Sequence, residues 1–280
     1  MSRIAEVFDS LQGEGALIAY MMGGDPDIDT SRMVIGALVE GGADIIEVGV
    51  PFSDPIADGR SIQAAGNRAL AAGVTPAAVF GLVAEAKQMY RVPIVIMTYY
   101  NVLFSRGLAG FMKSAAKARV DGLVVPDLPL DESADYSRLA RRMGLDTILL
   151  AAPTTPPDRM RSLMRNSTGF LYLVSLLGVT GARPSVGSET LALVSSAKRQ
   201  TSGRIPLAVG FGISKPSHVR SIIDAGADAV IVGSSIVDRV ASDRPKEDML
   251  DEVTRYVRSL KTATRRRRTE GLSPSHRGGP

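Results

Sequence analysis

The sequence predicts an α/β fold of the (β/α)₈ barrel kind, and three observations carry that expectation. Short apolar runs start near residues 16, 43, 93, 120, 145, 170, 205 and 227, mostly about 25 residues apart, which is the length of one strand–helix unit. Each run is followed by a helical pattern or by a loop that leads into one. A faint internal echo supports the count, because Ala43-Asp44, Val120-Asp121, Leu145-Asp146 and Ala227-Asp228 each stand immediately before an apolar run. These aspartates read as solvated turn residues. Eight such units close into a barrel. A doubly wound open sheet is the alternative, since strand order is invisible in a sequence.

The elements follow in order. Residues 2–11 form a short helix with Ile4, Phe8 and Leu11 on one apolar face, suited to plug one end of the barrel. Ala16 to Met22 is a buried strand broken by Gly23-Gly24-Asp25-Pro26, and Asp29 or Thr30 caps the helix that runs to about Glu40. The second strand covers 43–48, with helical patterns near 60–71 and 76–90; the third, Pro93 to Thr98, ends in Tyr99-Tyr100-Asn101. Further strands read at Gly122 to Val125, Thr147 to Ala151, Phe170 to Val174, Leu207 to Val209 and Ala229 to Val232. The gaps after strands two and six are long, and in a barrel the loops at strand C-termini surround the active site. These extended loops, around Asp58 and over residues 176–190, are therefore expected to act as lids with Gly178, Gly181 and Gly187 as hinges. An ordinary surface loop is the alternative for the second.

Composition narrows the function classes. The chain has 280 residues, 45% of them apolar, enough for one large core, and reads as a single domain over 1–260 followed by a basic tail over 261–280. Of the net charge of +4, the tail holds +5 through Lys261, Arg265 to Arg268 and Arg277 against Glu270, which leaves the body at −1. With 5% aromatics the body does not resemble a nucleic-acid groove, so any such contact is left to the tail, whose Arg, Ser, Gly and Pro content reads as disordered. No apolar run spans a bilayer and no apolar leader opens the chain, so the expected setting is the cytoplasm. There is no cysteine, and His218 and His276, both expected to be exposed, make poor material for a metal site or a serine triad.

The chemistry centres on Glu47 and Asp58. Glu47 lies inside the apolar run Ala43-Asp44-Ile45-Ile46-Glu47-Val48, where burial raises a carboxyl pKa toward the range useful for general acid/base work. A structural buried ion pair is the alternative. Pro51, Pro55 and Gly59 stiffen the loop that carries Asp54 and Asp58. Strand seven ends in Gly210-Phe211-Gly212-Ile213 and strand eight in Gly233-Ser234, and glycine loops at these two strands are the usual phosphate site of the fold.

The run from Glu47 through Pro51-Phe52-Ser53-Asp54-Pro55 and Asp58-Gly59-Arg60 to Gln63 resembles the tryptophan synthase alpha subunit family. Gly24-Asp25-Pro26, Pro126-Asp127-Leu128-Pro129, Gly178-Val179-Thr180-Gly181, Gly210 to Ile213 and Gly233-Ser234 match in the same order, over about residues 1–258. The resemblance implies a barrel lyase that cleaves indole-3-glycerol phosphate to indole and glyceraldehyde 3-phosphate without metal or organic cofactor. It implies a beta subunit as partner, in an α2β2 assembly, with Asp127 where contacts to that subunit are expected. By resemblance Glu47 is the acid/base group and Asp58 accepts the indole N–H. Tyr172, Tyr99, Phe211 and Thr180 contact substrate, and Gly181, Gly212, Gly233 and Ser234 bind phosphate. Tyr20 is left to core packing. Leu176 and Leu177 stand where some bacterial members have Arg and Ser, and Arg60 where many have Pro. Another phosphate-binding barrel, an isomerase or epimerase, and a non-catalytic activator of a beta subunit remain the alternatives.

Overall fold

The structure, a computed structural model of the chain, describes residues 1–152, 154–174, 186–210 and 212–266. Its strands are β1 (Ala16–Met22), β2 (Ile45–Gly49), β3 (Ile94–Met97), β4 (Gly122–Val124), β5 (Asp146–Ile148), β6 (Leu150–Ala151), β7 (Leu171–Val174), β8 (Leu207–Gly210) and β9 (Ala229–Val232). They pair in the order β5-β4-β3-β2-β1-β9-β8-β7-β6, every pairing parallel. Only Leu149 separates the two edge strands, so the sheet returns on itself as a barrel. Where one fifth strand is expected there are two short ones. Side-chain hydroxyls explain the break, because the Thr147 N–H donates to Thr168 Oγ1 at 2.8 Å and the Leu149 N–H to Ser167 Oγ at 3.2 Å, in place of ladder partners.

Alternation along the strands separates two apolar layers. Ile18, Ile45, Val95, Val124, Ile148, Phe170, Ala208 and Ile231 fill the barrel, while Leu17, Ile46, Ile96, Leu123 and Val209 face the surrounding helices. Helix Arg3–Ser10, capped by Ser2 Oγ, closes the lower end: Ile4 is fully buried, Val7 and Phe8 pack on the inner layer, and the Phe8 and Phe170 rings lie 6.2 Å apart. The helix after β1 is capped by Asp27 rather than Asp29 or Thr30. Asp27 Oδ1 accepts from the Thr30 N–H at 2.7 Å, and the helix spans Ile28–Glu40. Helices Arg60–Ala71 and Pro76–Met89 stand where periodicity puts them.

The repeated aspartates are not solvated turn residues. Asp44 Oδ2 accepts from the Leu17 N–H at 2.7 Å and from Lys261 Nζ at 2.9 Å. Asp121 Oδ2 accepts from the Ile94 N–H at 2.7 Å and from Lys87 Nζ at 2.6 Å, and Asp228 Oδ2 from the Leu207 N–H at 2.8 Å and from Lys198 Nζ at 2.6 Å. Each of these aspartates also returns its own N–H to the carbonyl of the same residue, at 2.9 Å. A half-buried carboxylate is costly unless bonded, and here a backbone donor and an ammonium both serve it. Asp146 keeps only the backbone part: its N–H reaches the Asp121 carbonyl at 2.9 Å, and its Oδ2 is buried with no hydrogen-bond partner among the described residues.

The C-terminal helix, Lys246–Ala263, runs past Leu260, and the chain then folds back on the barrel base. The Gly15 N–H donates to the Thr264 carbonyl at 2.9 Å, Arg266 N–H to the Gly13 carbonyl at 2.9 Å, and Arg265 bridges to Glu14. Folded structure thus continues at least to Arg266, beyond the expected boundary at 260, because these backbone groups find partners beside β1. Residues 267–280, with Arg267, Arg268 and His276, lie outside the described residues. His218 is buried, not exposed, and accepts from the Ser214 N–H at 3.4 Å through Nδ1. No single described helix is long and apolar enough to cross a membrane.

Candidate active site

The same alternation that fills the barrel points Glu47 into its upper, C-terminal end. Ile45 belongs to the inner layer, and Glu47 and Gly49 follow at the two-residue period of a strand. Glu47 is 0% exposed, and neither carboxylate oxygen has a hydrogen-bond partner among the described residues. None of the ion pairs among those residues includes it, so among them the structural ion-pair reading finds no support. Burial, and next the charge of Asp58, pushes Glu47 up from 4.5 to about 8. Tyr20 stands beside it in the β1–β2 register. Tyr172, an inner-layer residue of β7, is close enough that its pKa, like that of Tyr20, is raised by both carboxylates after the larger effect of burial.

Asp58 reaches the same space from the loop after β2. Tyr99, at the end of β3, holds that loop: its hydroxyl accepts from the Ala57 N–H at 3.1 Å and hydrogen-bonds to the Asp58 carboxylate. The Tyr99 ring stacks on Phe52 at 5.3 Å, so it acts as a post for the loop as well as a wall of the site. Gln63 Nε2 donates to the Asp58 carbonyl at 2.9 Å, from the helix that Arg60 begins. Gly59 caps that helix without a side-chain bond, so Arg60 occupies the first helical position, which Pro suits. Burial lifts Asp58 to about 6, with the Tyr99 hydrogen bond pulling the other way. Near pH 7, therefore, Glu47 holds its proton and Asp58 has lost its own, a division of acid and base roles by environment.

Two glycines make room for the tyrosines. A Cβ on Gly49 would lie 2.2 Å from Tyr20 Oη, and one on Gly210 would lie 2.5 Å from Tyr172 Oη. Tyr20, expected in core packing, pairs with Glu47 between strands, and Gly49, with no role expected from the sequence, leaves room for its hydroxyl. The signal is the two-residue period of a strand, which puts Tyr20 on the same face of β1 as Ala16 and Ile18. β8 and β9 are neighbours, so Gly212 in the loop after β8 and Gly233 at the end of β9 are brought to the same rim. Gly212 has φ +71°, which glycine adopts without strain, and Ser234 opens helix Ser234–Val240. Phe211, Leu176, Leu177, Gly178, Thr180 and Gly181 lie outside the described residues. Asp127 is engaged within the chain: its two carboxylate oxygens accept from the Tyr100 N–H at 2.8 and 3.1 Å, capping helix Tyr100–Ser105. Among the described residues no group of three or more His, Cys, Asp or Glu could hold a metal.

A parallel barrel with a carboxyl raised to about 8 inside its C-terminal end, one raised to about 6 on a neighbouring loop and glycine turns after its last two strands has the build of a barrel enzyme suited to acid/base chemistry. The family model of the tryptophan synthase alpha chain matches residues 8–265. The tryptophan synthase alpha chain of Methanoregula boonei is 47% identical over 264 residues, covering 94% of this chain and 98% of that one. Among solved structures, tryptophan synthase from Mycobacterium tuberculosis superimposes with TM-score 0.84 at 35% identity, covering 94% of this chain and 98% of that one. The tryptophan synthase complex from Pyrococcus furiosus does so with TM-score 0.81 at 38% identity, covering 89% and 99%. The chain belongs to the tryptophan synthase alpha chain family.

Proposed function

We propose that Glu47 and Asp58 carry out, in this chain, the family's reaction: retro-aldol cleavage of indole-3-glycerol phosphate to indole and glyceraldehyde 3-phosphate. The observation that carries the reading is a carboxyl buried in the barrel with no hydrogen-bond partner or ion pair among the described residues, held up at about 8 and so protonated at neutral pH. Glu47 first gives its proton to indole C3. The positive charge that this places on the ring spreads to the nitrogen, where the N–H hydrogen bond to ionised Asp58 offsets it. The Glu47 carboxylate then takes the proton of the hydroxyl on the carbon attached to C3. The O–H electrons become the aldehyde C=O, the electrons of the breaking carbon–carbon bond return to the ring, and Glu47 ends protonated as it began. Tyr20, Tyr99 and Tyr172 frame the indole slot, with Phe211 and Thr180 as further substrate contacts. The phosphate is assigned to backbone N–H groups of Gly181, Gly212, Gly233 and Ser234. No organic cofactor or metal enters these steps.

The proposed partner is a tryptophan synthase beta subunit, in an α2β2 assembly. Ile56, on the Asp58 loop, is 82% exposed, and Phe104, on the helix that follows β3, is 71% exposed. Two large apolar side chains at the mouth are suited to a protein contact beside the site. The proposed setting is the cytoplasm, and the proposed organisation is one barrel unit with a C-terminal tail. Indole release from indole-3-glycerol phosphate tests the assignment: Glu47→Gln, folded by circular dichroism, is expected to lose at least ~10²-fold in turnover. Activity within a few-fold of wild type would refute it.

A further inference from the structure

We infer that Tyr256, on the C-terminal helix far from Glu47 in sequence, is a positioning residue for the phosphate rim, an inference that rests on the phosphate reading of Gly212, Gly233 and Ser234. Its hydroxyl donates to the Ser214 carbonyl at 2.8 Å and lies 2.6 Å from Ser235 Oγ. A carbonyl can only accept, so the Tyr256 proton goes to Ser214, and Ser235 must donate to Tyr256. One relay, Ser235 to Tyr256 to Ser214, therefore ties the first turn after β9 to the loop after β8. Ser235 directly follows Ser234, and Ser214 lies two residues beyond Gly212.

The tyrosine is itself fixed. The Arg239 guanidinium lies 3.6 Å from the centroid of the Tyr256 ring, donates to the Ser235 carbonyl at 2.6 Å, and pairs at 3.5 Å with Glu252 of the same C-terminal helix. Ring and hydroxyl are thus held from two sides. Both rim loops turn on glycines, which supply no stiffness of their own, and among the described residues the pairing of β8 with β9 lies below them, through Ala208–Ala229 and Val209–Val230. Phosphate recognition by several backbone N–H groups at once demands that they stay mutually placed to a fraction of an ångström. Tyr256 supplies that brace from a third element.

The test is Tyr256→Phe, which keeps the ring and its arginine contact and removes both hydrogen bonds, with Ser235→Ala as a second variant. Inorganic phosphate and glycerol 3-phosphate serve as probes of the rim, and an indole derivative without phosphate as probe of the slot. Either variant is expected to raise the Kd for both phosphate probes and the KM for indole-3-glycerol phosphate about five- to tenfold. Turnover at saturation and binding of the phosphate-free indole should change less than twofold, and the double variant should be no worse than either single one, because each breaks the same relay. Equal losses for both kinds of probe, or unchanged phosphate binding in both variants, would overturn the role of Tyr256. Failure of phosphate to compete with substrate in the wild-type protein would instead overturn the phosphate reading itself, and the inference with it.

Discussion

Replacing Glu47 with Gln is expected to stabilise the fold while it abolishes turnover, and the stabilisation should grow with pH. Folding lifts this carboxyl from 4.5 to about 8, so the folded chain retains a proton that the unfolded chain releases. Stability is therefore unaffected by Glu47 below about pH 4.5, falls as pH rises through the interval, and reaches its lowest value above about 8. At about 1.4 kcal/mol per pH unit, the loss between pH 5 and 8 comes to roughly 3 kcal/mol, or about 5–10 °C in Tm for a chain of this size. Glutamine does not titrate, so the variant lacks this loss. Asp58 titrates in both proteins and cancels in the comparison. Urea denaturation of both proteins at pH 5, 6, 7 and 8 measures the difference. Two stability curves that stay parallel to within about 0.5 kcal/mol would mean that Glu47 is not held protonated by the fold.

Further expectations follow from the same geometry. The kcat/KM of the free enzyme should be bell-shaped, rising as Asp58 ionises near 6 and falling as Glu47 loses its proton near 8, and a flat profile between pH 5 and 9 would contradict the division of roles. Asp58→Asn should lower turnover severely and move the alkaline limb of the residual activity to lower pH, since the Asp58 charge is one of the two causes that lift Glu47. Tyr99→Phe removes the bonds to Ala57 and Asp58 while keeping the stacked ring, and is expected to reduce turnover about tenfold, read in steady-state kinetics, with Tm changed by less than about 4 °C. Truncation after Arg266 should leave Tm and turnover unchanged, whereas truncation after Leu260 removes the bonds to Gly13 and Gly15 and should lower Tm measurably.

Much of the barrel was legible because burial leaves a period in the sequence. The strands expected at Ala16 to Met22 and Ala229 to Val232 and the helices expected near 60–71 and 76–90 needed only that period. Leu149 could not be seen as a break, because the hydroxyls of Ser167 and Thr168 that cause it lie on the next unit. Glu47 was legible for the opposite reason, as a charge where the pattern demands an apolar residue. Tyr20 is buried in the core as expected, and its place beside Glu47 does not show in the sequence because it is a matter of pairing between strands. The bond from the Tyr100 N–H to Asp127 leaves no trace in the sequence, because the two residues lie 27 apart.

The aspartate at the foot of β2 has a consequence at its top. Asp44 grips Leu17, and three residues higher on both strands Glu47 stands beside Tyr20. Both pairs are 27 residues apart in sequence, so the carboxylate at the base sets the same alignment that is used at the mouth. Slippage of β2 by a single residue would turn Glu47 out among the helices and present an isoleucine or valine in its place. The lysine-held aspartates thus serve as the zero mark of a ruler, about 10 Å below the chemistry at roughly 3.3 Å per residue. Loops at the mouth can change in length and composition without moving that mark. A residue with no access to substrate in this way decides which side chain meets it.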